Sequence, residues 1–334
     1  MLLMMLAYAF FMFSCRDADK LRTLLHNTYR VKLFMQSSTP GLTGPLTVRE
    51  CLEWMSAALE SAGLFFGHGT DNPWDEACWL LETSLRRQGV APLVADTLLD
   101  DSQLAPVRAL LEARITTRKP AAYLLEEAWF CGLPFVVNEQ VLVPRSPIAE
   151  LIENGFEPLL PQPPTRILDL CTGSGCIGIA CALAFPEASV VLSDISLEAL
   201  DVARRNVVLH GVGERVTVVA ADLLDGLGGP FDLIVSNPPY VAEDEYRDLP
   251  QEYLREPALG LVTGQKGLEL PLRILAEAPR ALAPGGVLIL ETGATWPTLA
   301  EACPELPFLW LEFEHGGEGV CVLTREQLPG SLPG

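Results

Sequence analysis

Over residues 45–118 apolar side chains recur at helical spacing. Leu46, Cys51, Trp54, Met55 and Ala58 follow a period near 3.6 residues. Ahead of them, Thr47-Val48-Arg49-Glu50 has the Thr-x-x-Glu form of a capping box, in which each end satisfies the other's backbone N–H. Residues 63–72 break the pattern. Asn72-Pro73-Trp74-Asp75-Glu76 restarts it, with Asn72 as the cap and Pro73 in the first turn, where its missing N–H is no loss. Residues 80–85 and 102–117 carry the helical period further. A small all-helical domain is therefore expected over 45–118. His68 falls in the break and reads as a loop residue rather than a ligand.

From residue 121 the period shortens. Residues 129–137 and 140–143 predict a hairpin with Asn138-Glu139 at its turn. Pro144-Arg145-Ser146-Pro147 and a helix from Ile148 follow, so that 121–157 reads as a connecting element. Residues 158–164 hold four prolines in seven positions, a stiff boundary before a second domain over 164–327. There, apolar strand runs at 166–170, 189–193, 216–220, 231–236 and 286–291 alternate with helical stretches. Such alternation predicts a parallel sheet covered on both faces. Two further runs, 308–313 and 319–324, are joined by a link too short for a crossover, so they are expected to pair antiparallel at the edge.

Composition narrows the classes of partner. The 334 residues are 49% hydrophobic and 20% charged, ordinary for a globular protein. The formal net charge is −20, from 43 acidic and 23 basic residues, which repels phosphate backbones and argues against nucleic acid as a direct partner. Nine cysteines include no Cys-x-x-Cys pair and suit a reducing cytosol, without zinc or disulfides. Cys171, Cys176 and Cys181, five residues apart, read as small buried hydrophobes. Residues 1–14 are almost wholly apolar. They lack the basic start and small-residue exit of a signal peptide, and are too short to span a bilayer. Residues 1–34 are expected to be a non-native or disordered extension ahead of an ordinary beginning at Met35, with a membrane anchor as the alternative. The cytoplasm is the expected compartment.

The chemistry gathers at strand ends. Phe231-Asp232-Leu233-Ile234-Val235-Ser236 is followed by Asn237-Pro238-Pro239-Tyr240. Two prolines cannot donate to a ladder, so the strand stops with Asn237 at its carboxyl end, where open α/β sheets bind their ligands. The Asn237 side-chain oxygen and the Pro238 carbonyl form a rigid pair of acceptors. Such a pair suits a planar NH2 group, with Pro239 stiffening the loop and Tyr240 available to stack on the flat face. At the first strand-to-helix turn stands Asp169-Leu170-Cys171-Thr172-Gly173-Ser174-Gly175, whose glycines permit close backbone approach. Gly178 completes the spacing of a dinucleotide site, but Asp169 precedes the glycines, where it would repel a pyrophosphate and attract an ammonium group. Asp194 closes the second strand, placed for ribose hydroxyls. Asp222, with Leu223 beside it, follows the third, placed for an adenine amino group. A cationic nucleoside without phosphates satisfies all three carboxylates, and S-adenosylmethionine is the cofactor this order selects over NAD.

An Asp-x-x-x-Gly-x-Gly turn, acids after strands two and three, and Asn-Pro-Pro-Tyr after strand four together resemble the class I methyltransferases that act on planar nitrogens. The helical N-terminal region and hairpin are similar to those of the protein glutamine N5-methyltransferases. Pro144-Arg145-Ser146-Pro147-Ile148-Ala149-Glu150 and Phe66-Gly67-His68-Gly69-Thr70-Asp71-Asn72-Pro73-Trp74-Asp75-Glu76 resemble the branch acting on large-subunit ribosomal protein three rather than the branch acting on release factors. The resemblance covers about 45–327. It implies a Rossmann-like α/β fold, a seven-stranded sheet with its last strand antiparallel, and a helical region that recognises substrate. It also implies a basic ribosomal protein as partner, with Asn237, Pro238 and Tyr240 at the reacting amide, and a closing role for the region 243–267. Arg145 orders that region, meets the substrate backbone or simply lies at the surface. Methylation of a release factor, methylation of adenine or cytosine amino groups, and a non-catalytic assembly role remain as alternatives.

Overall fold

Seven strands make one mixed sheet in the computed structural model, which describes residues 44–90 and 94–328. The expectation for residues 1–34 lies outside the described residues. Ahead of the sheet, β1 (Leu46–Thr47) leads into α1 (Val48–Ser61), α2 (Pro73–Arg87), β2 (Leu98–Leu99), α3 (Asp101–Thr117) and α4 (Ala121–Leu125). Both ends of the capping box at Thr47 and Glu50 close, and Asn72 caps α2 through the Asp75 N–H at 2.9 Å. The buried stripe of α1 is Val48, Cys51, Met55 and Leu59, one residue away from the expected Ala58. The helical region also contains a ladder that the periodicity did not reveal. β1 and β2 pair antiparallel, Leu46 opposite Leu99, and two residues are too few to register as an alternating pattern.

The hairpin differs from its expected form. β3 (Ala128–Phe130) pairs with β4 (Leu133–Phe135) around Cys131-Gly132, both at positive φ (47° and 65°), rather than 129–137 pairing with 140–143 around Asn138-Glu139. Gly132 makes the tight turn possible seven residues sooner, with a backbone twist that suits the two strands. Residues 140–143 then belong to no strand. Val141 and Val143 are buried, and the Val143 N–H goes to a carboxylate instead of a ladder partner.

After α5 (Ile148–Glu153) come β5 (Arg166–Leu170), α6 (Cys176–Ala184), β6 (Ser189–Asp194), α7 (Leu197–Leu209), β7 (Val216–Ala220) and β8 (Phe231–Ser236). The chain continues through α8 (Glu243–Asp248), α9 (Ala258–Leu261), α10 (Glu269–Ala281), β9 (Leu282–Glu291), α11 (Trp296–Ala302), β10 (Leu309–Trp310) and β11 (Val320–Thr324). The sheet order is β10-β11-β9-β8-β5-β6-β7. β7, β6, β5, β8 and β9 run parallel. β11 lies antiparallel to β9, and β10 antiparallel to β11. The central parallel strands β5, β8 and β9 are buried on both faces, one against Ile179, Val190 and Val235, the other against Ile234, Leu275 and Leu288. Strand order reverses between β5 and β8. That reversal opens a crevice at their carboxyl ends, the place where such sheets take ligands. No helix among the described residues is long and apolar enough to cross a membrane.

Candidate active site

The crevice is bounded on one side by the turn from β5 into α6. Cys171, Gly173 and Gly175 all take positive φ, at 57°, 55° and 82°. A Cβ on Gly173 would meet nothing within 4 Å, so its backbone fronts open space. A Cβ on Gly178, by contrast, would lie 2.9 Å from Asp169 Oδ2 and collide with Leu192. Gly178 therefore serves the close approach of helix to strand, and its N–H donates to Asp169 Oδ2 at 2.8 Å. Thr172 Oγ1 donates to the same oxygen. Asp169 Oδ1 is buried without a partner, and burial pushes the carboxyl up to about 7. Ser193 Oγ, also buried, lacks one too. An acceptor held in this way fits an ammonium group.

Asp194 closes β6 and braces the glycine turn. Its Oδ2 accepts the Gly173 N–H and its Oδ1 the Ser196 N–H, both at 2.9 Å. Burial outweighs these bonds and raises its carboxyl above the usual range. Asn206, fully buried on α7, ties this turn to the hairpin. Its Nδ2 donates to Ser174 O at 2.8 Å and to Val136 O at 2.9 Å. Asp222 sits beyond the end of β7 in an ion pair with Arg273 at 3.0 Å, its side chain 46% exposed. Leu223 beside it is buried at a φ of 51°. Of the expected cofactor residues, Asp169, Cys171, Thr172, Gly173, Ser174, Gly175 and Asp194 thus form one contiguous wall, and Asp222 and Leu223 follow beyond the end of β7.

Across the crevice, Asn237 leaves β8 half-buried, followed by buried Pro238 and Pro239. Tyr240 is fixed from three sides. Its OH donates to Glu291 Oε1 at 3.3 Å, and a Cβ on Gly293 would lie 2.8 Å from its Cζ. Gly267 packs against its carbonyl. Glu291, at the end of β9, was not singled out from the sequence, although an acid closing an apolar strand is the same signal that Asp169 and Asp194 give.

The region after Asn237 folds as α8, a 3-10 turn over Tyr253–Arg255 and α9, and two buried acids anchor it. Glu256 takes both Arg145 nitrogens, Nη1 at 2.8 Å and Nη2 at 2.6 Å, together with the Val143 N–H at 2.9 Å. His68 lies in the loop between α1 and α2, as expected, and is buried there. Its Nε2 is 3.3 Å from Glu256, and its ring centroid 4.5 Å from that of Tyr253. Glu252 receives Arg118 Nη2 at 2.8 Å and the Phe65 N–H at 3.1 Å. Arg114, itself bonded to Glu76 at 2.8 Å, lies 3.6 Å from Glu252. The stretches around His68 and Arg145 thus converge on the segment that follows Asn237, where Arg145 pairs with Glu256.

An early consequence can be measured at the glycine turn. Asp194→Ala is expected to weaken S-adenosylmethionine binding roughly 10- to 100-fold, the equivalent of losing a charged acceptor worth about 1.5–3 kcal/mol. Isothermal titration giving an unchanged Kd would show that the ribose does not rest on Asp194.

Comparison with known proteins agrees with this geometry. Residues 156–265 match the family model described as a methyltransferase small domain, which contains both walls of the crevice. The chain is 42% identical over 287 residues to the ribosomal protein uL3 glutamine methyltransferase of Francisella tularensis subsp. tularensis, covering 84% of this chain and 91% of that one. It is 44% identical over 288 residues to the protein of that name from Neisseria meningitidis serogroup B, covering 85% and 95%. With a class I methyltransferase sheet and this likeness along most of its length, the chain belongs to the family of ribosomal protein uL3 glutamine methyltransferases.

Proposed function

We propose that the protein methylates the side-chain amide nitrogen of a glutamine in ribosomal protein uL3, using S-adenosylmethionine. The observation that carries this reading is the Asn237-Pro238 acceptor pair at the strand-order reversal, facing a glycine turn whose Asp169 has a buried, unpartnered oxygen. Asp169 and the turn 171–175 would hold the amino-acid part of the cofactor, Asp194 its ribose, and the neighbourhood of Asp222 and Leu223 its base. The bound cofactor supplies an electrophilic methyl group. An amide nitrogen is a poor nucleophile, because its lone pair is delocalised into the carbonyl. The chain therefore acts by positioning and electrostatics. The Asn237 oxygen and the Pro238 carbonyl accept the two amide N–H bonds, and this favours rehybridisation as positive charge grows on nitrogen. Tyr240 holds the amide plane. The helical region 45–118 recognises the protein substrate, whose basic character complements a chain of net charge −20. That charge also disfavours adenine or cytosine in nucleic acid, although the acceptor pair itself would accommodate either.

The test is transfer of tritiated methyl from S-adenosylmethionine to purified uL3, beside a uL3 variant with the target glutamine replaced by alanine, a release factor and a DNA duplex. Label in wild-type uL3 alone supports the reading. Equal label in the alanine variant, or preferential label in the release factor or DNA, rejects it. A second expectation concerns protons. Burial holds Asp169 near 7, so at pH 6 it is largely protonated in the free protein, and an ammonium group beside it favours the ionised form. S-adenosylmethionine binding should then release protons at pH 6, and the release should fade as pH rises through 7. Titrations in buffers of different ionisation enthalpy measure it directly. A pH-independent binding enthalpy free of buffer effects would separate Asp169 from the ammonium.

A further inference from the structure

We propose that Glu291 is a positioning residue that decides which end of the Asn237 amide faces the substrate, an inference that rests on the function proposed above. β8 and β9 run parallel with Ser236 opposite Leu290, so Asn237 and Glu291 leave neighbouring strands side by side. Glu291 is only 4% exposed, and hydroxyls from two other segments converge on it. Ser146 donates to Oε2 and Tyr240 to Oε1. The Asn237 side chain, from the neighbouring strand, lies within reach of the same carboxylate and favours its ionised form.

An ionised carboxylate only accepts hydrogen bonds. What it takes from Asn237 must therefore be an Nδ2–H, and this turns Oδ1 the other way. The point matters because the two ends of an asparagine amide are nearly equal in size and opposite in hydrogen-bonding sense. With Nδ2 presented to the pocket, an incoming NH2 group would meet a donor, and one half of the acceptor pair would be lost. Asn237 alone does not determine the choice; the carboxylate behind it does. The same carboxylate fixes the Tyr240 hydroxyl, so one buried group sets both side chains that flank the Pro238 carbonyl. Burial lifts Glu291 to about 7, against the pull of Ser146, Tyr240, Arg145 and Asn237, and the protonated form would lose its acceptor-only character. The assay therefore belongs at pH 8.

Three variants test the idea: Glu291→Gln, Asn237→Asp and their combination. Glu291→Gln is expected to lower kcat for uL3 methylation about 10- to 100-fold through misorientation, with the Kd for S-adenosylmethionine within about twofold of wild type. Asn237→Asp alone sets two carboxylates side by side and should also be slow. In the double variant the glutamine Nε2 donates to one oxygen of the new aspartate, and the other oxygen faces the substrate. It should therefore be several-fold faster than either single variant. A merely structural role for Glu291 predicts instead that the defects accumulate. A double variant no faster than Glu291→Gln, or Glu291→Gln at the wild-type rate, overturns the proposal.

A second readout needs no turnover. The Asn237 side-chain NH2 signals in 15N-labelled protein, assigned by their loss in Asn237→Asp, should be protected from exchange in wild type and lose that protection in Glu291→Gln. If wild-type protein leaves uL3 unlabelled while these signals behave as expected, the substrate reading falls and the positioning role stands. Unchanged protection in Glu291→Gln removes the positioning role whatever the enzyme methylates.

Discussion

Asn237→Ala is expected to lower the rate of methyl transfer to uL3 about 100- to 1000-fold while changing the Kd for S-adenosylmethionine far less. On the function proposed above, the asparagine oxygen meets the amide nitrogen, and its hydrogen bond strengthens as that nitrogen becomes positive. Its removal is therefore felt most in the transition state. Loss of one preorganised electrostatic partner in a water-poor site typically has an effect of this size. The structure adds a reason for such preorganisation. Pro238 and Pro239 are buried behind Asn237, and Tyr240 is held by Glu291, Gly267 and Gly293, so the loop has little freedom to redistribute the load. The measurement is single-turnover transfer of tritiated methyl, with cofactor affinity determined in parallel. Wild-type rates in Asn237→Ala would mean that the amide is gripped elsewhere.

The second large effect is expected on stability. Glu256 is 4% exposed and bonded to both Arg145 nitrogens and the Val143 N–H. Burial alone would raise its carboxyl, but the Arg145 charge and hydrogen bonds, with His68 beside it, outweigh burial and hold the group at about 2, below its ordinary 4.5. Glu256→Ala leaves Arg145 without its counter-charge and should destabilise the protein by about 3–5 kcal/mol, measured by urea denaturation at pH 7. Glu256→Gln keeps the shape and should cost less. The sign of the pH dependence follows from the depressed value. The stabilisation is fully present above the unfolded-state value near 4.5, and is lost as pH falls from there toward 2. Wild-type and Glu256→Ala stabilities should therefore converge in acid. Curves that run parallel from pH 6 to pH 3, or a variant as stable as wild type, would show that this ion pair does not hold the segment after Asn237. Because that segment follows the acceptor pair, Glu256→Ala should also slow methylation.

The parallel core was legible because it obeys simple rules. Runs such as Phe231–Ser236 and Val216–Ala220 are mostly apolar and bounded by turn residues, and their observed limits are those expected. Asp169, Asp194 and Asn237 were legible for a related reason. A polar residue ending a buried apolar strand has few roles other than meeting something in the crevice beyond. Glu291 carries the same signal, but a single acid at the end of a fifth strand matches no motif. The hairpin was misplaced because a turn is chosen by which residues tolerate positive φ. Cys131-Gly132 meets that demand, whereas the apolar stretch continuing to Val137 suggested a longer arm.

Sequence by itself determined the alternation of elements, the cofactor turn and the acceptor pair, because each depends on residues adjacent in the chain and on local rules of period, capping and proline. Only the tertiary structure decided what His68, Arg145, Glu252, Glu256 and Glu291 do. Their charges could equally have faced water. They became structural when packing brought Arg145 onto Glu256 across 111 positions and Ser146 onto Glu291 across 145. A buried charge must find its partner wherever the fold places one, and no local pattern records that distance.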